Sequence, residues 1–212
     1  MEQPGLVVYD LDGVITRKDT FSALVMSRLV RSPLRMIRSL SAAALLLSER
    51  KALASRRIAE IALSGMADDS YTELAERLGR QFAADAQWIR CDTVQRIRRQ
   101  HEQGSRIVIA TATERRLAHA LLTAVDIPYD LLSASLLAAT DSGLKVADHR
   151  VGARKVEALR ELGEPIEEAE FVTDSLTDLP TALAAARVVL VGASERTRRR
   201  FGERGVRIHD AS

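Results

Sequence analysis

Two aspartates one residue apart, in Leu6-Val7-Val8-Tyr9-Asp10-Leu11-Asp12-Gly13-Val14, open the chemistry of this chain. A short apolar strand that ends in carboxylates presents them at its C-terminal end, where parallel α/β sheets bind ligands. Side chains two apart share a face while strand geometry lasts, and Gly13 permits a sharp turn after them. A turn with two solvated aspartates is the plain alternative. A calcium loop of the EF-hand kind is excluded, because Gly13 falls at the fourth position from Asp10 and Phe21 at the twelfth, where such a loop needs glycine at six and glutamate at twelve.

Three further groups point to phosphate and to a cation. Ile107-Val108-Ile109-Ala110 ends in Thr111, just before a helix expected to start near Thr113. A hydroxyl and the N–H groups of a helix start are donors for phosphate oxygens; for Thr113 itself the reading is a plain helix cap. Lys155 lies near the start of a helix beginning about Ala153, an unfavourable end for a cation, which hints at a purpose other than solvation. Phe171-Val172-Thr173 delivers Asp174, and Asp178 follows four residues later. A helical turn would put both on one side. Carboxylates so crowded repel unless a cation neutralises them, and Mg²⁺ with oxygen ligands is the natural partner.

Taken in order, Asp10-x-Asp12-Gly13-Val14, Thr111, Lys155 and Asp174-Ser-x-x-Asp178 resemble the four motifs of the haloacid dehalogenase-like phosphohydrolases over nearly the whole chain. The resemblance is to subfamily I with a helical C1 cap, the phosphoserine phosphatase type. It implies a Mg²⁺-dependent phosphomonoester hydrolase acting through an aspartyl-phosphate. Asp10 would be the nucleophile and Asp12 the general acid and then base, while Thr111 and Lys155 would stabilise the transferring phosphoryl group. Mg²⁺ would be held by Asp10, Asp174 and the main-chain carbonyl of Asp12, with Asp178 binding or orienting. Gly13, Ala112 and Ser175 would line the phosphate site. Asp19 stands where phosphoserine phosphatases read the substrate amine, and it equally suits a cap on the first insert helix. Gly13-Val14 replaces the common Ser-Thr, Thr111-Ala112-Thr113 replaces Ser-Gly-Gly, and Thr173 replaces a glycine. These departures argue against phosphoserine and for another small or lipid-linked phosphate. The alternatives are a phosphotransferase or mutase, and a non-catalytic module docking on membrane or nucleic acid.

The elements that must position these groups are marked by the apolar runs. Leu6–Tyr9, Ile107–Ala110, Leu131–Leu132, Phe171–Thr173, Val188–Val191 and Val206–Ile208 read as strands, with helical patterns at 114–125, 153–162 and 180–186. That alternation predicts an α/β fold, a three-layer Rossmann-like core with a parallel sheet. About ninety residues separate the first two strands, too many for a structureless loop. They read as a helical insert: Asp19 or Thr20 caps a helix to about Val30, and Ser32-Pro33 starts another. A helix beginning near Ser48 stops at Gly65, and Ser70-x-x-Glu73 forms a capping box. Gly79 divides the stretch after that box, and Gly104 ends the last helix. The expected division is a core of 1–15 and 105–212 with a cap of 16–104.

The composition sets limits on these readings. Of 212 residues 46% are hydrophobic and 28% charged, a globular balance rather than a disordered one. A single cysteine excludes an internal disulfide and a multi-cysteine zinc site. The opening residues carry no basic stretch with a long apolar one after it, which predicts no secretory signal and a cytoplasmic protein. The net charge of +2 hides an asymmetry: +8 between Arg17 and Arg57, −5 between His101 and Leu190. The basic half suits a solvated face, steering of an anionic substrate, or peripheral contact with anionic lipid through basic cap helices, where Arg35 and Arg38 alternate with Leu34, Ile37 and Leu40. Nucleic acid is disfavoured, since aromatic residues for stacking do not interleave.

Overall fold

The computed structural model describes residues 5–43 and 51–209. The strands are β1 (Leu6–Tyr9), β2 (Arg106–Glu114), β3 (Leu131–Thr140), β4 (Gly143–Asp148), β5 (Glu170–Thr173), β6 (Arg187–Leu190) and β7 (Ile208–His209). They form one sheet in the order β4-β3-β2-β1-β5-β6-β7, parallel except for β4. The helices are α1 (Thr20–Val30), α2 (Pro33–Ala43), α3 (Lys51–Leu63), α4 (Asp68–Ala84), α5 (Cys91–Glu102), α6 (Arg115–Val125), α7 (Ala153–Glu161), α8 (Leu179–Ala184) and α9 (Glu195–Glu203).

The strand residues alternate between two cores. Val7, Tyr9, Ile107, Ile109, Val172 and Val189 meet helices α4, α5 and α6 on one face. Leu6, Val8, Val108, Ala110, Phe171 and Val188 meet α7, α8 and α9 on the other. A sheet covered on both faces needs apolar residues in both registers, which is why β1 reads as an unbroken apolar run rather than an alternating one. The α/β expectation holds.

The insert divides by packing. Helices α1, α2 and α3 gather around Val146 and Leu137 of the β3–β4 hairpin, through Val25, Leu29, Met36, Ala59 and Ala62. Helices α4 and α5 instead pack on the sheet, α4 through Tyr71, Leu74 and Phe82 and α5 through Val94 and Ile97.

Several local expectations need correction. Gly79 does not divide a helix: it lies within α4, where a Cβ would stand 2.7 Å from the Ala120 Cβ, so its lack of a side chain lets α4 and α6 cross closely. Ser70 is not a cap, because α4 begins at Asp68. Asp68 and Asp69 favour the helix N-terminus electrostatically, and Asp68 also pairs with Arg116 at 2.7 Å. The helix expected near Thr113 starts at Arg115, with Glu114 as its cap. Strand β4 has no counterpart in the sequence reading: Leu131–Leu132 opens a much longer strand that turns at Gly143, whose φ is +113°. The start near Ser48 lies outside the described residues.

Beneath the sheet α5 is tied by charge. Arg96 reaches Glu170 at 2.8 Å, and Arg187, opposite Glu170 on β6, reaches it at 3.1 Å. Both Arg96 and Glu170 are buried. Removing one member of such a pair strands the other without compensation. Glu170→Ala is therefore expected to lower the unfolding free energy by about 3–5 kcal/mol, read from urea denaturation.

Candidate active site

Strands β2, β1 and β5 are neighbours, so their C-terminal ends lie side by side. Tyr9 is level with Ile109 and with Val172. One step on, Asp10 leaves β1 with its N–H donated to the Val172 carbonyl at 2.9 Å, and Thr111 and Asp174 arrive from the neighbouring strands. Asp10, Asp12, Gly13, Asp19, Ala112, Lys155, Asp174, Ser175 and Asp178 all line one polar cleft of about 290 Å³. Thr111 is fully buried beside it, its Oγ1 accepting the Thr113 N–H at 3.0 Å.

Lys155 organises the base of the cleft. Its side chain is 2% exposed, and its Nζ reaches Asp178 Oδ1 at 2.7 Å and Asp10 Oδ1 at 3.1 Å. Burial alone would lower its pKa, but the two carboxylates outweigh that and hold it above the ordinary lysine value. They also outweigh the adverse end of α7. Asp10 Oδ1 accepts in addition the Leu11 N–H at 2.8 Å. Burial pushes Asp10 well above the ordinary carboxylate range; Lys155 opposes this and Asp178 adds to it.

Asp12 sits in a nest of donors. Its Oδ1 accepts the Thr20 N–H at 2.8 Å, the Thr20 hydroxyl at 2.9 Å and the Thr16 hydroxyl at 3.3 Å, and its Oδ2 accepts the Thr113 hydroxyl at 2.6 Å. Burial and the charge of Asp19 still raise it to about 6 against these bonds. The capping role read for Thr113 is thus replaced by a bond to Asp12. Thr16 and Thr20 are site residues that sequence reasoning did not place around Asp12; their spacing of four and eight from it was the available signal.

Asp19 caps α1, its Oδ1 accepting the Ser22 N–H at 2.6 Å, and it also lines the cleft. Ser175 Oγ is occupied by the Thr177 N–H at 3.2 Å. Arg17 and Lys18 form part of the cleft wall. Arg90, which sequence reasoning missed, donates from Nε to the Gly13 carbonyl at 2.9 Å. It arrives from the start of α5, a contact that spacing in the chain could not disclose.

The four aspartates do not converge as one carboxylate cage, and among the described residues no three acidic, histidine or cysteine side chains are grouped to grip one ion. Asp12 is turned to its threonines. Asp178 is held by Lys155 and, on Oδ2, by the Thr173 hydroxyl at 2.8 Å. Asp174 differs: it has no ion pair among the described residues, and burial with the Asp178 charge raises it to about 6. It lies so close to Gly13 that a Cβ there would be 2.1 Å from Asp174 Oδ2, and Gly13 has φ +81°. Four carboxylates against one buried ammonium leave an excess of negative charge, and oxygen donors in that state suit a hard divalent cation.

The family model for haloacid dehalogenase-like hydrolases matches residues 7–183, which takes in every one of these groups. The chain belongs to the haloacid dehalogenase-like hydrolase family. Solved structures share the fold of this hydrolase at low identity. A protein of unknown function from Bordetella pertussis Tohama I is 19% identical with a TM-score of 0.71, covering 99% of each chain. A phosphoserine phosphohydrolase-like protein from Francisella tularensis subsp. tularensis SCHU S4 is 14% identical with a TM-score of 0.66, over 97% of this chain and 94% of that one. A phosphoserine phosphatase carrying a phospho-aspartyl intermediate analogue is 10% identical with a TM-score of 0.61, over 93% and 91%. No curated protein matches the chain.

Proposed function

We propose that this hydrolase is a cytoplasmic, Mg²⁺-dependent phosphatase that cleaves a small or lipid-linked phosphomonoester through an aspartyl-phosphate on Asp10. The observation that carries the reading is the placing of Asp10: its Oδ1 is pinned by the Leu11 N–H and by Lys155 in the wall of the cleft, and Oδ2 is the oxygen assigned to the attack. As Oδ2 bonds to phosphorus, the ester P–O bond breaks and the leaving oxygen takes a proton from Asp12. Asp12 then accepts a proton from water as that water attacks phosphorus, which releases phosphate and restores Asp10. The threonine nest fixes the direction of the Asp12 carboxyl, and its raised pKa of about 6 lets it carry a proton near neutrality. Lys155 and the Thr111 hydroxyl stabilise charge on the phosphoryl oxygens.

Asp10, Asp174 and the Asp12 main-chain carbonyl are the groups that would hold Mg²⁺, which supplies charge neutralisation for the phosphoryl group. Asp178 orients Lys155. Gly13, Ala112 and Ser175 bound the space the phosphate takes, and Asp19 closes its rim. Within the insert of 16–104, the segment before α1 supplies Arg17, Lys18 and Asp19 to the cleft wall, and α1–α3 form the cap proper. The motif departures at Gly13-Val14, Thr111-Ala112-Thr113 and Thr173 argue against phosphoserine. Purified protein should hydrolyse p-nitrophenyl phosphate with Mg²⁺ and lose turnover in excess EDTA; absence of turnover across a broad ester panel with Mg²⁺ would sink the proposal.

A peripheral membrane contact rests on a separate surface. Leu34, Ile37 and Leu40 on α2 are 62–66% exposed, Arg31 and Arg38 flank them, and no acidic residue lies between Thr20 and Ala43. An apolar stripe whose own segment carries cations and no acid complements anionic lipid. No helix among the described residues is long and apolar enough to cross a membrane. The protein is expected to sediment with phosphatidylglycerol vesicles and not with phosphatidylcholine ones, and Ile37→Asp should reduce binding at least about fivefold.

A further inference from the structure

Beside the polar cleft lies a second cavity of about 290 Å³, and Ala112 is part of the wall of both. Its other walls come from α1, α3 and the β3–β4 hairpin: Phe21, Val25, Ile58, Ala59, Leu137 and Val146. These are the side chains with which the insert meets the core, and they leave a gap rather than closing on one another.

Three of the polar side chains at this cavity, Glu114, Ser135 and Arg56, are already engaged. Glu114 is held by the N–H groups of Arg116 and Leu117 and by the Arg116 guanidinium. Ser135 Oγ accepts the Arg150 N–H at 3.0 Å, and Arg56 pairs with Glu60 at 3.2 Å. Burial, together with the charge of Arg56, holds His149 below the ordinary imidazole value against the charge of Asp148. The surface left for a ligand is mainly hydrocarbon. An apolar cavity gives water few partners and takes an apolar guest instead.

We infer that this cavity is the subsite for the alcohol half of the substrate, and that the substrate is a phosphate monoester of an apolar alcohol. This rests on the phosphatase reading of the adjoining cleft. The phosphate lies among Asp10, Lys155 and Asp174, and the ester oxygen faces Asp12. The hydrocarbon passes Ala112, whose small side chain keeps the passage open, and comes to rest between α1, α3 and the hairpin. The ammonium and carboxylate of phosphoserine would meet walls that are mainly hydrocarbon.

The test uses n-alkyl phosphates and their uncleavable n-alkylphosphonates, with the full chain and Mg²⁺. Each methylene transferred into the cavity should tighten binding about fourfold, so hexylphosphonate should bind on the order of a hundredfold more tightly than ethylphosphonate by calorimetry. The kcat/KM values of hexyl and ethyl phosphate should differ in the same direction. Ala59→Phe, which fills the space, should bring both ratios to within about threefold of one; its fold is checked by circular dichroism. Ethyl and hexyl ligands bound equally by the unaltered protein would overturn the subsite, whatever the variant does. Length-dependent phosphonate binding without hydrolysis of any ester would uphold the subsite and overturn the phosphatase reading.

Discussion

Asp10→Asn is expected to lower kcat by at least about 10⁴-fold while leaving the fold intact. The amide has nearly the shape of the carboxylate and can still accept the Leu11 N–H, but it cannot attack phosphorus. Burial already disfavours charge on Asp10, so neutralising it removes a cost, and Lys155 keeps Asp178 at 2.7 Å as its partner. Melting temperature should therefore be unchanged or higher. Single-turnover kinetics with mass spectrometry would check this: a phosphorylated protein should accumulate in the unaltered enzyme and be absent from the variant. Turnover within tenfold of the unaltered enzyme would remove Asp10 from the nucleophile's role.

Lys155→Met is expected to damage both stability and catalysis. Methionine fills similar space but leaves Asp10 and Asp178 facing each other, buried, without the ammonium that joins them. Breaking a buried pair in this way costs about 3–5 kcal/mol, read from urea denaturation. Loss of a preorganised positive charge at the phosphoryl group should lower kcat about 10²–10³-fold. Adding Asp178→Asn to Lys155→Met removes one of the stranded charges, so the double variant should regain part of the stability and none of the activity. If the two substitutions were simply additive in stability, the coupling read from the geometry would be wrong.

The sheet and the motif residues were legible because their signals are local. An apolar run ending in an acid or a hydroxyl marks both a strand and its functional end, so β1, β2 and β5 could be placed with Asp10, Thr111 and Asp174 attached. The hidden features depend on partners remote in the chain. Gly79 looks like a helix breaker until Ala120 is seen against it. Thr113 looks like a cap until Asp12 is found 2.6 Å away. The β3–β4 hairpin carries Ser133, Ala134, Ala138 and Ala139, which have weak strand preferences; pairing, not propensity, makes it a strand. A sequence counts carboxylates without saying which are already occupied: Asp178 is held by Lys155 at 2.7 Å and the Asp12 carboxylate by the Thr113 hydroxyl at 2.6 Å.

β1 is also the strand whose neighbours are farthest away along the chain. Leu6 pairs with Arg106 and Val7 with Glu170, so β1 has no partner until half of the polypeptide has been made and no second one until β5 follows. Closing a loop of that length costs about 2 kcal/mol more than closing one a tenth as long, and pairings of such high contact order form slowly. The hairpin of β3 and β4, by contrast, closes across two residues and can form early. Val7, Val8 and Tyr9 therefore wait as an exposed, aggregation-prone segment during synthesis. A chain that stops short of β5 carries Asp10 without Asp174 and Asp178, which share its cleft.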